Sequence, residues 1–359
     1  MLPLPTLCVH DVVLKKINNG DDVHVGEARC LKILVCEYIT GGGLYRTPLP
    51  PSLAKEGTMM RDALLADLLA LVDLQIVLTC DTRVPCPYAE VEVLWVNDDP
   101  WNIWEAAMQG VDAVWLIAPE TEGILLRLTL MAEKLGKRVL GNPGSAIQIA
   151  SSKSATLRLL SDAGLTVVPT LNKETLTAER FIPLVTKPDD GAGAEETYYF
   201  EDWPSYADWI KDHASHTIQA YVQGEAASLS MLCLHGRAWL LSCNRQDISL
   251  KQQGAYAGFA YAGSVLNGMA AYWQAFAELA QGVAQAMPDL AGYVGVDVIV
   301  TATGALHILE VNPRLTTSYV GLQAATGLNP ARLIMDLFYN PDFSLPPINR
   351  HLVEVSTHV

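Results

Sequence analysis

The seven cysteines form no C-x-x-C pair and no Cys/His spacing of a zinc site, which excludes a zinc module and makes reduced thiols in a cytoplasm a better fit than a disulfide framework. Long hydrophobic runs are also missing. No stretch approaches the roughly 20 apolar residues that cross a bilayer, so the sequence predicts a soluble, cytoplasmic protein without membrane partners. Positive charge is scarce: 24 Lys and Arg stand against 39 Asp and Glu, for a formal net charge of -15. Phosphate backbones are held by clustered cations, so this balance argues against nucleic acid as a partner and confines any phosphate contact to a local site. No G-x-x-x-x-G-K-[ST] P-loop occurs, and the glycines at Gly41, Gly42 and Gly43 lack the third glycine of a dinucleotide fingerprint. The first thirty residues lack the basic start, apolar core and cleavage site of a signal peptide, and residues 1–30 are expected to be a loose extension.

What is present is enough chain, at 359 residues, for two or three lobes with buried interiors. From Lys32 the run KILVCEYITGGG has the form of a buried parallel strand ending at a glycine turn. A helical stretch over 62–72, a strand over 74–79, a helix over 101–109, a strand over 113–118, a helix over 122–135 and a short strand at 139–140 follow. This alternation predicts a small doubly wound α/β sheet over 31–143, closed by the punctuation GNPG at Gly141 to Gly144. The rhythm then changes. A helix over 153–163, strands over 184–187, 217–222, 227–234 and 238–243, helices over 203–212 and 270–286, and a final strand pair over 293–300 and 306–311 predict α+β lobes with antiparallel sheets.

That final pair carries the most chemistry. In GYVGVDVIVTATGALHILEVNPR, Val294, Val296, Val298 and Val300 share one face of the first strand and Asp297 lies on the other. With Thr303 and Gly304 as the turn, the count places Asp297 opposite Glu310. Two carboxylates facing across a ladder repel unless a cation lies between them. Magnesium fits, because it prefers hard oxygens and takes one or two carboxylates with substrate phosphates; Asn312 adds a neutral oxygen on the Glu310 face. Arg314 then stands close enough to neutralise a phosphate or acyl-phosphate oxygen. The competing reading is a surface hairpin with solvated acids.

Three other segments have a phosphate or nucleotide reading. Lys187 ends an apolar strand and precedes a loop containing Gly191 and Gly193, where backbone N–H groups can approach phosphates beside the lysine's charge; an ordinary Lys-Pro-Gly turn is the alternative. Lys153 stands in the first turn of a helix, where a cation opposes the helix dipole, so phosphate contact competes with a solvated surface lysine. The run TIQAYVQGEAASLSML offers a backbone edge over 220–222 for an adenine and Glu225 for ribose hydroxyls, against a plain hairpin.

Taken in order, Lys153, Lys187 with its glycine loop, the 220–225 hinge, and Asp297, Glu310, Asn312 and Arg314 resemble the ATP-grasp superfamily. The match runs over roughly 141–340, and the domain ahead is similar to that superfamily's preceding α/β domain. The resemblance implies a pre-ATP-grasp domain over 31–143, two ATP-grasp lobes over 144–222 and 223–340, and a tail over 341–359. It implies ATP held by Lys153, Lys187, Gly191 and Gly193 with its adenine against Tyr221 and Val222 and its ribose near Glu225, and Mg2+, or Mn2+ in its place, on Asp297, Glu310 and Asn312. Lys187 and Arg314 would be the catalytic cations. Gln219 departs from the acid that many members carry before the hinge, which weakens the expected adenine amino contact.

At finer grain, EYITGGG, LIAPETEGIL, NRQ at 244–246 and EVNPRLTTSYVGL are similar to the tyramine–glutamate ligase branch of methanofuran biosynthesis. That resemblance implies a carboxylate–amine ligase working through an acyl phosphate, with an amino acid and an amine as small-molecule partners and a homodimer as a compatible assembly. Arg245, Gln246, Thr316, Thr317 and Ser318 are then expected on the substrate side, with surface loops as the alternative. Phosphoryl transfer needs positioned charge rather than a Ser/His/Asp triad, and none is seen. A bicarbonate-using enzyme of the carbamoyl-phosphate or purine type, a catalytically inert ATP-binding regulator and a dehydrogenase on the first domain are the rivals.

Overall fold

A computed structural model describes residues 30–86, 88–191 and 196–357. The expected extension over 1–30 and Gly193 thus lie, apart from Cys30, outside the described residues. The first domain is a five-stranded parallel sheet built from β1 (Leu31–Glu37), β2 (Leu74–Asp81), β3 (Glu92–Val96), β4 (Ala113–Ile117) and β5 (Arg138–Val139), ordered β3-β2-β1-β4-β5. In β1, Ile33 and Val35 point to one face while Leu34 and Cys36 point to the other, and all four are buried. Apolar residues on both faces require cover on both. Helices α2 (Trp101–Gln109) and α3 (Ile124–Lys134) pack on the Leu34 face, and α1 (Pro51–Leu69) on the Ile33 face. The α1 helix starts earlier than the sequence suggests, because Pro51 at the first helical position needs no N–H partner there.

After α4 (Gly144–Ala150) and α5 (Lys153–Asp162), the remainder forms one antiparallel sheet ordered β13-β12-β9-β10-β11-β7-β6-β8. Its strands are β6 (Leu184–Lys187), β7 (Tyr198–Phe200), β8 (Thr217–Ala220), β9 (Glu225–Leu234), β10 (Arg237–Gln253), β11 (Tyr256–Leu266), β12 (Gly292–Val300) and β13 (Leu306–Asn312), with α6 (Trp203–Trp209) after β7. The small lobe packs an aromatic core of Phe200, Tyr206 and Trp209 around Leu184 and Ile218. The larger lobe lays α7 (Trp273–Ala286) across β10, β9 and β13, and Val294, Val296, Val298 and Val300 of β12 are buried in the same core. The long β10–β11 hairpin joins the lobes, since β11 also pairs with β7 through Ala257 and Gly258.

Two features tie the halves together. Helix α9 (Pro330–Tyr339) packs against α1, so Leu333, Ile334 and Leu337 share a core with Ile33 and Leu64. The expected tail over 341–359 contains β14 (Val353–Ser356), which pairs with β11 from Gly263 to Leu266. Among the described residues, no helix is long and apolar enough to cross a membrane.

Candidate active site

Asp297 and Glu310 are register partners across β12 and β13, as the count from the sequence anticipates, but by a different route. The turn is one residue longer: Thr301 receives a bond from the Gly304 N–H, and Val300 pairs with Leu306. A β-bulge between Asp297 and Val298 restores the acids to register. Both acids therefore face one space, and Gly295, two residues before Asp297, leaves room for Thr316, whose Cγ2 would lie 2.7 Å from a Cβ there.

Asp297 accepts from Asn312 Nδ2 at 3.0 Å and from Gln246 Nε2 at 2.8 Å. Burial pushes Asp297 up to about 7, with the Glu310 charge adding to the shift. Glu310 is pushed up by burial as well, but Lys187 and Lys153 outweigh this and hold it below its ordinary value. Its Oε2 lies 3.6 Å from Lys153 Nζ and 3.8 Å from Lys187 Nζ. Burial lowers the Lys187 ammonium despite the opposing pull of Glu310. The two lysines and two acids, predicted from three separated segments, thus meet at one carboxylate.

A divalent cation fits this donor set. Asp297 and Glu310 are hard oxygen donors, and burial together with the Glu310 charge pushes Asp297 up. Asn312 donates its amide nitrogen to Asp297, so its contribution to a cation comes from its oxygen.

Asp189, which the sequence reading passed over, ties the loop after Lys187 to the start of α5 and to β8. Its carboxylate accepts from Ser152 Oγ at 2.6 Å, Ser154 N at 2.9 Å and Thr217 Oγ1 at 3.0 Å, and its backbone oxygen accepts from Lys153 N at 3.0 Å. These bonds outweigh burial and lower its pKa. An anion at the start of α5 answers the oddity of a lysine in the first helical turn; that oddity was the signal that could have led to Asp189. Lys153 Nζ donates to the Gly191 carbonyl, which places Gly191 beside it.

Arg314 is buried and reaches back to the first domain, where its Nε and Nη2 each lie 3.0 Å from Glu120 Oε2. Burial pulls Arg314 down, but the charge and hydrogen bond of Glu120, joined by the charges of Glu310 and Asp297, raise it above its ordinary value. Glu120 is a second residue missed in the sequence, where one acid in a loop carries no periodic signal.

The hinge and substrate residues divide. The N–H groups of Ala220 and Tyr221 are already donated to Pro169 and Pro183, so of the expected adenine edge these bonds leave the Tyr221 carbonyl and the Val222 backbone. Glu225 pairs with Val300 and Asp297 with Ser228, which puts Glu225 on the opposite strand face from the acids by the period of two. Its carboxylate lies 3.9 Å from the similarly placed Arg245. Gln246, by contrast, touches Asp297 directly. Thr316, Thr317 and Ser318 form a hydroxyl wall: Thr316 bonds Tyr293 and Thr317 bonds Tyr261, both at 2.8 Å, while Ser318 meets Ser264 at 3.4 Å.

Comparison with known proteins agrees with this architecture. A pre-ATP-grasp domain model matches residues 74–147 and an ATP-grasp domain model matches residues 150–318. The tyramine–L-glutamate ligase of Methanocaldococcus jannaschii is 28% identical over 302 residues, covering 82% of this chain and 86% of that protein. The corresponding ligase of Methanocaldococcus fervens is 31% identical over 218 residues, covering 61% and 64% respectively. A crystal structure of an ATP-grasp superfamily protein from Archaeoglobus fulgidus superposes with a TM-score of 0.68 at 22% identity, over 91% of this chain and 99% of that one. At that identity the likeness bears on the fold alone.

Proposed function

The chain belongs to the ATP-grasp superfamily, with a pre-ATP-grasp domain ahead of its ATP-grasp domain, and we propose that it is an ATP-dependent carboxylate–amine ligase working through an acyl phosphate. The observation that carries this reading is the convergence of Lys153, Lys187 and Asp297 on Glu310, with Arg314 close enough to feel both acids.

In this reading a substrate carboxylate oxygen attacks the γ-phosphorus of ATP and ADP leaves; the amine nitrogen then attacks the acyl carbon, phosphate leaves and the nitrogen loses a proton. Lys153 and Lys187 balance the phosphate charge, and Arg314 balances the acyl-phosphate oxygens as charge spreads over them. Asp297, Glu310 and Asn312 would hold Mg2+, or Mn2+ in its place, which supplies charge neutralisation at the nucleotide's phosphates. Val222 would meet the adenine edge. Gln246 and the hydroxyls of Thr316, Thr317 and Ser318 would stand on the acceptor side.

The similarity to two tyramine–L-glutamate ligases supports glutamate as the acid and a phenolic amine such as tyramine as the nucleophile, in methanofuran-type carrier synthesis. An ADP-release screen with Mg-ATP, crossing amino acids with amines and including bicarbonate alone, tests the proposal. Release that requires both an acid and an amine supports it. Bicarbonate-dependent release, or none with any pair, overturns it.

A further inference from the structure

The turn that follows β4 in the first domain touches both sides of the site. Glu120 holds Arg314 through Oε2. One residue on, Thr121 Oγ1 donates to the Asp190 carbonyl at 3.3 Å, and the Glu122 N–H donates to Asp190 Oδ2 at 3.1 Å. Asp190 adjoins Asp189 in the loop that carries the nucleotide lysine. Three successive residues thus fix the acyl-side arginine relative to the phosphate-side loop. The turn also sits where a ligand crevice is expected, at the carboxyl ends of β1 and β4, between which the strand order of the parallel sheet reverses.

Two features argue against a role in stability alone. Glu122 adopts φ +55°, a left-handed conformation that a non-glycine residue takes up only where surrounding structure demands it. Glu120 Oε1 is buried without a hydrogen-bond partner among the described residues. A bidentate pair would set both carboxylate oxygens against the guanidinium fork. Here both N–H groups converge on one oxygen, while Nη1 turns to the Leu315 carbonyl at 3.3 Å.

We propose that Glu120 is a positioning residue for the ligase reaction, through which the first domain sets the Arg314 guanidinium over the reacting acyl phosphate. This rests on the ligase reading of Arg314. The test is a double-mutant cycle of Glu120→Gln and Arg314→Ala with melting temperatures in parallel, using the acid and amine pair that the screen identifies. The isosteric E120Q keeps the fold but lets the guanidinium drift, and a misplacement of about 1 Å can cost up to roughly 100-fold. We expect kcat to fall roughly 10- to 100-fold with the KM for ATP within about twofold, and no further loss when E120Q is added to R314A. Wild-type turnover with E120Q within about twofold of it overturns the proposal alone. So does an equal additional loss in the R314A background, which would mean that Glu120 acts elsewhere. Absence of turnover in the wild type overturns the ligase reading, and the positioning role with it.

Discussion

The acidic hairpin and the proposed nucleotide side are built in opposite ways. In the hairpin, Asp297, Glu310, Asn312 and Arg314 come from one continuous stretch, and one turn offset by a bulge brings them together. On the nucleotide side, Lys153 comes from a helix and Lys187 from a strand, and Asp189 links the α5 N-terminus to Thr217 on β8. Chemistry carried by one supersecondary unit depends on the register of its own strands; chemistry assembled from several units depends on a residue whose own task is only to hold the others. The two regions meet at Glu310, which both lysines approach.

The meeting point predicts the largest effect. Glu310→Gln removes charge from the cation site and from both lysines together, so turnover should fall by roughly 1,000-fold or more with the fold retained. Normal turnover in this variant would dissolve the idea that the regions share one carboxylate. Lys187→Ala separates them: the KM for ATP should rise roughly 10- to 100-fold while the acid and amine KM values stay nearly constant. An ATP dependence equal to wild type would remove Lys187 from the nucleotide side. Asp189→Asn should give a smaller form of the same change, roughly five- to tenfold in the KM for ATP, since loss of a helix-terminal carboxylate costs about 1 kcal/mol. If it instead lowers kcat with an unchanged KM, Asp189 is not organising nucleotide contacts.

The same contrast explains what could be read from the sequence. The parallel strands show as apolar runs because both faces are buried, and the β12–β13 pair shows because valines alternate with Asp297. The bulge beside Asp297 does not show, since Ile308 and Leu309 are equally plausible core residues, and the acids find each other only because two one-residue displacements cancel. Strand β11 was missed: YAGFAYAGSVL is rich in Ala and Gly and holds one β-branched residue, so only its pairing with β10, β7 and β14 makes it a strand. The outer part of β10 alternates only over 247–251, where Ile248 and Leu250 stand between polar residues, and so gave too short a period. Glu120 and Asp189 are loop acids without a periodic signal: the first gains its role once the domains are docked, the second once α5 and β8 are brought together. The Glu225 and Arg245 pair shows the converse, two residues with fitting chemistry that the strand period turns away from the acids.

The smallest expected effect lies at the seam between the domains, where it should alter stability rather than chemistry. Asp67 on α1 is buried and accepts from Tyr319 Oη at 2.6 Å. Burial pushes Asp67 up from 3.8 to about 6, against the opposing pull of that hydrogen bond. An acid whose folded pKa exceeds its unfolded value binds more protons when folded in the interval between them, so its contribution is complete below about pH 4 and is lost as pH rises through about 6. The Asp67→Asn variant cannot ionise and can still accept from Tyr319. Its unfolding free energy should therefore gain on wild type by an amount on the order of 1–3 kcal/mol between pH 4 and pH 7. Denaturant titrations of both proteins across that range measure the difference in slope, and parallel curves would show that Asp67 is ionised at the seam throughout. A catalytic defect in D67N at pH 7, beyond its stability change, would mean that the docking of the domains tunes the chemistry as well as holding it together, and the contrast between local and assembled chemistry would have to include the seam.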